Sequence, residues 1–236
     1  MESVITIPKN TPASQPYWLQ ESPGRGNFQI ANQQQIGMPE NESPLTVAFT
    51  FSAGGEDLNF TCPVNYKWTD PVKGEMMRPF EIIPPVMITL EDKVLVFPDS
   101  QSKEIHLTLK SGIKGASGFV RLNLPGGWKC SPADILFKLD NKSDEANYSF
   151  TVTPPRAHGS GQVTAEVEIG KDKFSQGILE INYPHIPIET LFPKAQAKLI
   201  HLDIETRGKN IGYIMGAGDQ IPAYLAQLGY TVTLLT

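Results

Sequence analysis

The 236-residue chain predicts a mainly-β protein: two antiparallel, Ig-like β-sandwiches followed by a truncated α/β (β-α-β) segment. Three observations predict this. Short runs of strictly alternating apolar and polar residues recur through the middle of the chain, the signature of half-buried strands. The 20 prolines and 20 glycines punctuate those runs, and proline pairs fall where modules should join. The last 28 residues, Lys209 to Thr236, change pattern and read strand, glycine turn, helix, strand.

The proline pairs set the domain boundaries. Pro84-Pro85 follows Glu81-Ile82-Ile83, and Pro184-His185-Ile186-Pro187 follows the strand-like Ile178–Tyr183. The expected domains are therefore 1–84, 85–183 and 184–236.

In the first domain, Leu45, Val47, Phe49 and Phe51 alternate with Thr46, Ala48 and Thr50, which predicts a strand. Leu58–Cys62 predicts a second strand, and Pro63–Lys67 should continue the same sheet. Residues 8–40 are rich in Pro, Gln, Asn and Gly and should be mostly loop. A small β-sandwich with an irregular N-terminal part is expected.

The middle domain carries the clearest signal. Ile105, Leu107 and Leu109 alternate with His106, Thr108 and Lys110, and Tyr148, Phe150 and Val152 with Ser149, Thr151 and Thr153. Val163, Ala165, Val167 and Ile169 alternate with Thr164, Glu166 and Glu168, and Leu179, Ile181 and Tyr183 with Glu180 and Asn182. Such runs between Gly, Pro, Asn and Asp clusters predict an antiparallel sandwich of about 100 residues. His106 falls on its polar face, where a solvated histidine is expected.

In the last domain, Ile211–Met215 reads as a strand buried on both faces, followed by Gly216-Ala217-Gly218-Asp219. Asp219 can cap a helix whose apolar residues are Ile221, Leu225 and Leu228. Pro222 suits its first turn, Gly229 its stop, and Tyr230–Leu235 a second strand. A single β-α-β unit leaves both sheet edges and one face uncovered. This end is expected to be a fragment of a longer domain. It should pack against the sandwiches, pair with another copy through the truncated end, or be poorly ordered.

Charge and composition narrow the function classes. A net charge of −5 disfavours nucleic acid and anionic membrane as partners. No apolar stretch approaches the roughly 18–20 residues of a membrane span. Cys62 and Cys130 lie far apart, and His106, His158, His185 and His201 form no H-x-x-H or H-E-x-x-H pair, so no metal site is expected. Four Asn-x-Ser/Thr triplets, at Asn41, Asn59, Asn141 and Asn147, read as ordinary turn chemistry.

Two features invite a site. The Gly216–Asp219 turn resembles a phosphate cradle at a helix N-terminus. It lacks the third glycine of G-x-G-x-x-G, at Ile221, and Asp219 puts a negative charge where phosphate would sit. A structural strand-to-helix turn is expected. Tyr17, Trp18, Tyr66, Trp68 and Trp128 form the second feature: either core and joint packing, or a flat platform for stacking sugars.

Several stretches resemble one family. Ser14-Gln15-Pro16-Tyr17-Trp18-Leu19, Tyr66-Lys67-Trp68-Thr69-Asp70-Pro71-Val72-Lys73-Gly74-Glu75 and Arg78-Pro79-Phe80-Glu81-Ile82-Ile83-Pro84-Pro85-Val86 resemble the region C-terminal to the catalytic domain of large bacterial PIG-L (LmbE-like) deacetylases. Leu124-Pro125-Gly126-Gly127-Trp128 with Thr151-Val152-Thr153-Pro154-Pro155 resembles the NPCBM-associated sandwich also appended to α-galactosidases. The run from Lys209 to Asp219 resembles the opening of the glutamine-amidotransferase-like domain that ends the same proteins.

The resemblance implies a zinc hydrolase that removes N-acetyl groups from sugar-linked substrates, in a periplasmic or secreted parent protein. Its A-H-P-D-D and H-x-x-H motifs are absent here, and Phe97-Pro98-Asp99 lacks the histidine. No catalytic residue carries over, and zinc is expected only in the missing catalytic domain. No nucleophilic cysteine lies near the α/β end, so amidotransferase chemistry has no support there. The implied partners are the missing catalytic and C-terminal domains of the same polypeptide, with glycan as the alternative. The implied role is a non-catalytic scaffold or, alternatively, a carbohydrate-binding module.

Overall fold

The computed structural model describes residues 4–8, 11–21 and 24–235. In chain order the strands are β1 (Thr46–Ala53), β2 (Glu56–Pro63), β3 (Asn65–Asp70), β4 (Gly74–Pro79), β5 (Val86–Leu90), β6 (Val94–Phe97), β7 (Lys103–Ser111), β8 (Ala116–Asn123) and β9 (Lys129–Ser131). There follow β10 (Asp134–Leu139), β11 (Glu145–Thr153), β12 (Gly159–Ile169), β13 (Asp172–Phe174), β14 (Leu179–Ile181), β15 (Glu189–Leu191), β16 (Gln196–His201) and β17 (Asn210–Ile214). Helix α1 (Ile221–Gln227) and strand β18 (Thr231–Leu235) complete the order. Strands hold 48% of the residues, and α1 is the one α-helix among those described. The fold is mainly β, as the alternation predicts.

The chain divides into two units, each discontinuous in sequence: residues 1–84 with 178–193, and residues 85–177 with 194–236. The predicted boundary near residue 184 therefore does not separate them. Alternation identifies a strand but not its partner, and β14 shows this. Its run, expected in the middle sandwich, pairs antiparallel with β15 and leaves Leu179 53% exposed. Residues 178–193 form an excursion. At its neck Ala195 N donates to the Ser175 carbonyl at 2.7 Å, and Gln176 bridges Lys194.

The first unit is not a sandwich. It holds three separate two-stranded antiparallel sheets, β1–β2, β3–β4 and β14–β15. Pro63–Lys67 does not extend the first hairpin, because β3 takes β4 as its partner. Gly54 and Gly55, both at positive φ (65° and 89°), make the tight turn from β1 to β2 that other residues adopt only with strain. Beyond prolines, Tyr17, Thr190 and Phe192 are this unit's buried side chains among the described residues. Polar contacts join its segments instead. Arg78 Nη2 donates to Glu81 Oε2 at 2.6 Å and to Thr190 Oγ1 at 2.7 Å, while Nη1 reaches Glu180 Oε2 at 3.2 Å. Gln15 Oε1 accepts from Phe192 N at 3.2 Å, and Ser14 and Ile82 exchange two bonds.

The second unit is a sandwich. One sheet runs β10-β8-β12-β16-β6, with β13 on the other end of β12, and the facing sheet runs β5-β7-β11-β9. Inward positions of both sheets (Ile105, Leu107, Leu109, Phe150 and Val152 against Phe97, Val120, Phe137, Val163 and Leu199) form one buried cluster. Period-two side-chain placement puts these residues inside and their neighbours in water. Gly118 on β8 is required by packing, since a Cβ there would lie 2.0 Å from the Glu168 carbonyl oxygen on β12.

Strand β16, beyond the predicted boundary, belongs to this sandwich. It pairs antiparallel with β12 and parallel with β6, so the sandwich is antiparallel except at one edge. Its Ala197, Leu199 and His201 are buried.

The β17-α1-β18 end forms as the sequence predicts. β17 and β18 are parallel, with Ile211 opposite Val232 and Tyr213 opposite Leu234. Gln220, not Asp219, holds the N-cap position of α1 and makes no side-chain capping bond; Asp219, one position earlier, accepts from Ile221 N at 3.0 Å through Oδ1, and Gly229 has φ 93° at the helix stop. The expectation that Ile211–Met215 is buried on both faces fails, because Ile214 is 73% and Met215 48% exposed. Gln227 anchors the helix to the sandwich edge. Its Oε1 accepts from Val96 N at 3.0 Å, and its carbonyl accepts from Lys103 Nζ, which also bonds the Val96 carbonyl at 2.6 Å.

Candidate functional site

The five aromatic candidates do not form one platform. Tyr17 lies in a 3₁₀ turn, Tyr17–Leu19, and is buried; its hydroxyl donates to the Met38 carbonyl at 3.0 Å and its amide to Asn41 Oδ1 at 2.8 Å. Trp18 is half-buried and meets Tyr17 edge-on, with ring centroids 5.0 Å apart at 85°. These two rings pack rather than present a flat face. Trp128 belongs to the second unit, where it is half-buried against the sandwich core and edge-on to Phe97 at 4.9 Å.

Tyr66 and Trp68 differ. Both lie on β3 two residues apart, hence on one face, with rings 5.7 Å apart at 24°. Tyr66 is 59% exposed and Trp68 half-buried. The β3–β4 turn beneath them is fixed by Asp70, whose Oδ1 accepts from Val72 N and Lys73 N, each at 2.8 Å. Those backbone bonds, Lys73's first, hold the Asp70 carboxyl below its ordinary range. The two rings thus stack on each other on one face of a pinned hairpin, one exposed and one half-buried.

The Gly216–Asp219 turn is closed upon itself. Asp219 accepts from the Tyr213 hydroxyl as well as from Ile221 N, so the carboxylate fills the space an anion would take. Cys62 is exposed and Cys130 half-buried, both free. His106 is exposed, with Nε2 3.7 Å from Glu104 Oε2, as its polar-face position predicts. His201 is buried, its Nδ1 3.2 Å from the Ala157 carbonyl and its ring beside His158. Among the described residues no group of three or more His, Cys, Asp or Glu is placed to hold a metal ion.

One concavity escaped the sequence reading. A cleft of about 340 Å³ in the first unit is lined by the segments 11–16, 40–44, 79–82 and 188–190. It carries four carboxylates, Glu40, Glu42, Glu81 and Glu189, between proline faces. Burial raises the Glu81 carboxyl above its ordinary value, against the pull of Arg78 and of the Thr190 hydroxyl bond. Burial also raises Glu189, helped by repulsion from Glu40 and Glu81. The lining comes from four stretches far apart in sequence, none with a motif, so no sequence signal marks it. Chemically it is an acceptor-rich surface, in which the Thr190 hydroxyl donates to Glu81 Oε2 at 3.1 Å.

No protein-family model matches the chain, and no curated protein matches it. Among solved structures it is similar to the native conformation of E. coli alpha-2-macroglobulin, at 14% identity and a TM-score of 0.33, over 62% of this chain and 9% of that one. It is also similar to a protein of unknown function from Porphyromonas gingivalis W83, at 12% identity and a TM-score of 0.26, over 58% of this chain and 61% of that one. The chain thus spans less than two thirds of either protein. Likeness at this distance assigns no site.

Proposed function

We propose that the chain is a non-catalytic scaffold, the accessory region of a PIG-L family zinc-dependent deacetylase acting on N-acetyl sugars, whose catalytic domain lies outside these residues. The family name rests on the three ordered motif groups described above. The observation that carries the scaffold role is the Gln227 anchor. A sandwich with a core complete in itself clamps a β-α-β unit to its edge strand β6 through Val96 N and Lys103 Nζ. Such an arrangement holds one α/β element at a fixed place on a β module, which is what a spacer between enzyme domains requires. The proposal makes the chain inert as an enzyme and free of its own zinc or other cofactor. Acetate release from N-acetylglucosamine-linked substrates, measured with zinc supplied, tests it: no turnover is expected, and turnover with one zinc per chain overturns it.

The Tyr66–Trp68 pair supports one alternative, a carbohydrate-binding module that holds glycan near an attached enzyme. Affinity electrophoresis in soluble polysaccharides separates the readings. Retardation that Trp68→Ala abolishes favours the module, and unaltered mobility favours the scaffold.

A further inference from the structure

We infer that the β17-α1-β18 end is a hinged arm, which rests on the open edge of β6 through Lys103 and Gln227 and swings off it as a unit about residues 205–208. The inference rests on the same anchor as the scaffold reading. It adds that the anchored place is a resting position with a released state beside it.

The joint replaces a missing strand with side chains. β6 ends its sheet, pairing with β16 on one side. The N–H and carbonyl of one strand residue point to the same side, and at Val96 both meet the arm's clamp. Val96 N donates to Gln227 Oε1 at 3.0 Å, and its carbonyl accepts from Lys103 Nζ at 2.6 Å. Lys103 Nζ also donates to the Gln227 carbonyl, at the C-terminal end of α1 where the helix dipole favours a cation. An exposed edge is thereby closed without another strand.

Three features make the closure reversible. First, no side chain of residues 202–235 is buried, α1 included. Docking therefore lacks the apolar burial that fixes the sandwich's own strands. Among the described residues two hydrogen bonds cross from arm to sandwich, both at Gln227. Such bonds are exchanged for bonds to water on opening, so their net worth is a small part of their gross strength.

Second, the clamp carries its own opposing force. Burial holds the Lys103 ammonium below its ordinary value, against the pull of Asp99 and Asp92. Closing keeps this charge from water, and opening returns it to water beside two carboxylates.

Third, the tether has a bendable stretch at the right place. Leu202 N donates to the Phe97 carbonyl and Ile204 N to the Pro98 carbonyl, each at 3.1 Å, which fastens the chain as far as residue 204. Glu205, Thr206, Arg207 and Gly208 are all exposed, and Gly208 sits at φ 76°. Order resumes inside the arm, where the Lys209 carbonyl accepts from Thr231 N at 2.7 Å. The β17–β18 ladder and the Tyr213–Asp219 bond lie wholly within it, so release leaves them intact.

Amide hydrogen exchange on the whole chain, resolved by residue with NMR, tests this at Val96. Its amide should exchange on the order of 100-fold more slowly than in an unfolded chain, and far faster than the amides of β12. Lys103→Met keeps the stem and removes the charge and donors. It should raise Val96 exchange about tenfold or more while β12 stays protected. Three results each overturn the hinge: Val96 protected as strongly as β12, Val96 unprotected in the natural chain, or Val96 exchange unchanged by Lys103→Met. The first two need no variant, so a Lys103→Met protein that fails to fold leaves the test intact. Strong Val96 protection sinks the hinge and leaves the scaffold reading standing, whereas acetate turnover sinks the scaffold reading and leaves the hinge.

Discussion

In the sandwich, 21 buried apolar side chains form one cluster between two sheets, whereas the unit built from residues 1–84 and 178–193 buries Tyr17 and Phe192 among its described large apolar residues. The first is held by hydrophobic burial, which is non-directional and spread over many contacts. The second is held by a few directed bonds, chiefly those from Arg78 to Glu81, Thr190 and Glu180. Loss of one contact should therefore be tolerated or fatal for different reasons in each. A cavity in the sandwich costs what its volume dictates, while a broken polar joint frees a whole segment of the other unit.

The largest effect should come from removing β16. This strand fills the place between β12 and β6, so a protein ending at residue 183 opens the sheet and exposes Val163 and Leu95. Residues 85–183 alone should lose cooperative unfolding, while residues 85–236 should keep it. Calorimetry on the two proteins decides. A sharp transition in the shorter one would mean that β16 decorates the sheet rather than completing it.

Next is Phe150→Ala. Phe150 is fully buried, and truncation at such a site costs about 3–5 kcal/mol through lost transfer energy and the cavity left behind. Denaturant midpoints followed by tryptophan fluorescence at Trp128, which packs on the same cluster, should report it. A change below about 1 kcal/mol would show that the core collapses freely.

Arg78→Ala should follow, at about 2–3 kcal/mol, less than for a fully buried pair because both partners are 19% exposed. Hydrogen exchange should speed in residues 178–193 and leave β7, β11 and β12 protected. Equal deprotection everywhere would show that the two units unfold together.

These contrasts also explain what the sequence disclosed. β7, β11 and β12 were legible because each alternates over many residues against a continuous core. The β17-α1-β18 end was legible because Asp219, Pro222 and Gly229 punctuate it. β16 was not, because a six-residue strand looks the same whether it joins a sandwich or a separate domain. β14 misled for the same reason, as period two specifies a face and leaves the partner open. Residue type alone marks the aromatic candidates, and type does not distinguish buried Tyr17 from exposed Tyr66. The acidic cleft stayed hidden, since four distant segments meet there through contacts such as Ser14–Ile82, Asn41–Gln15 and Thr190–Glu81, none of which a local pattern marks.

The smallest effect is a pH dependence confined to the polar-jointed unit. Glu81 and Glu189 are both held above the ordinary carboxylate value of 4.5, burial being the first cause in each. A raised folded pKa means that the folded unit binds protons more readily than the unfolded chain. Its contribution is fully present below the ordinary value and is lost as pH rises through the raised one. Hydrogen exchange in residues 178–193 should therefore show more protection on the acid side of that window than at neutral pH, after correction for the intrinsic exchange rate. Glu81→Gln removes the titration while keeping an oxygen acceptor for Arg78 and Thr190, so it should flatten much of the dependence. Protection that instead rises with pH would mean that Arg78's attraction for the carboxylate outweighs burial, and that the joint is an ion pair first and a desolvated acid second.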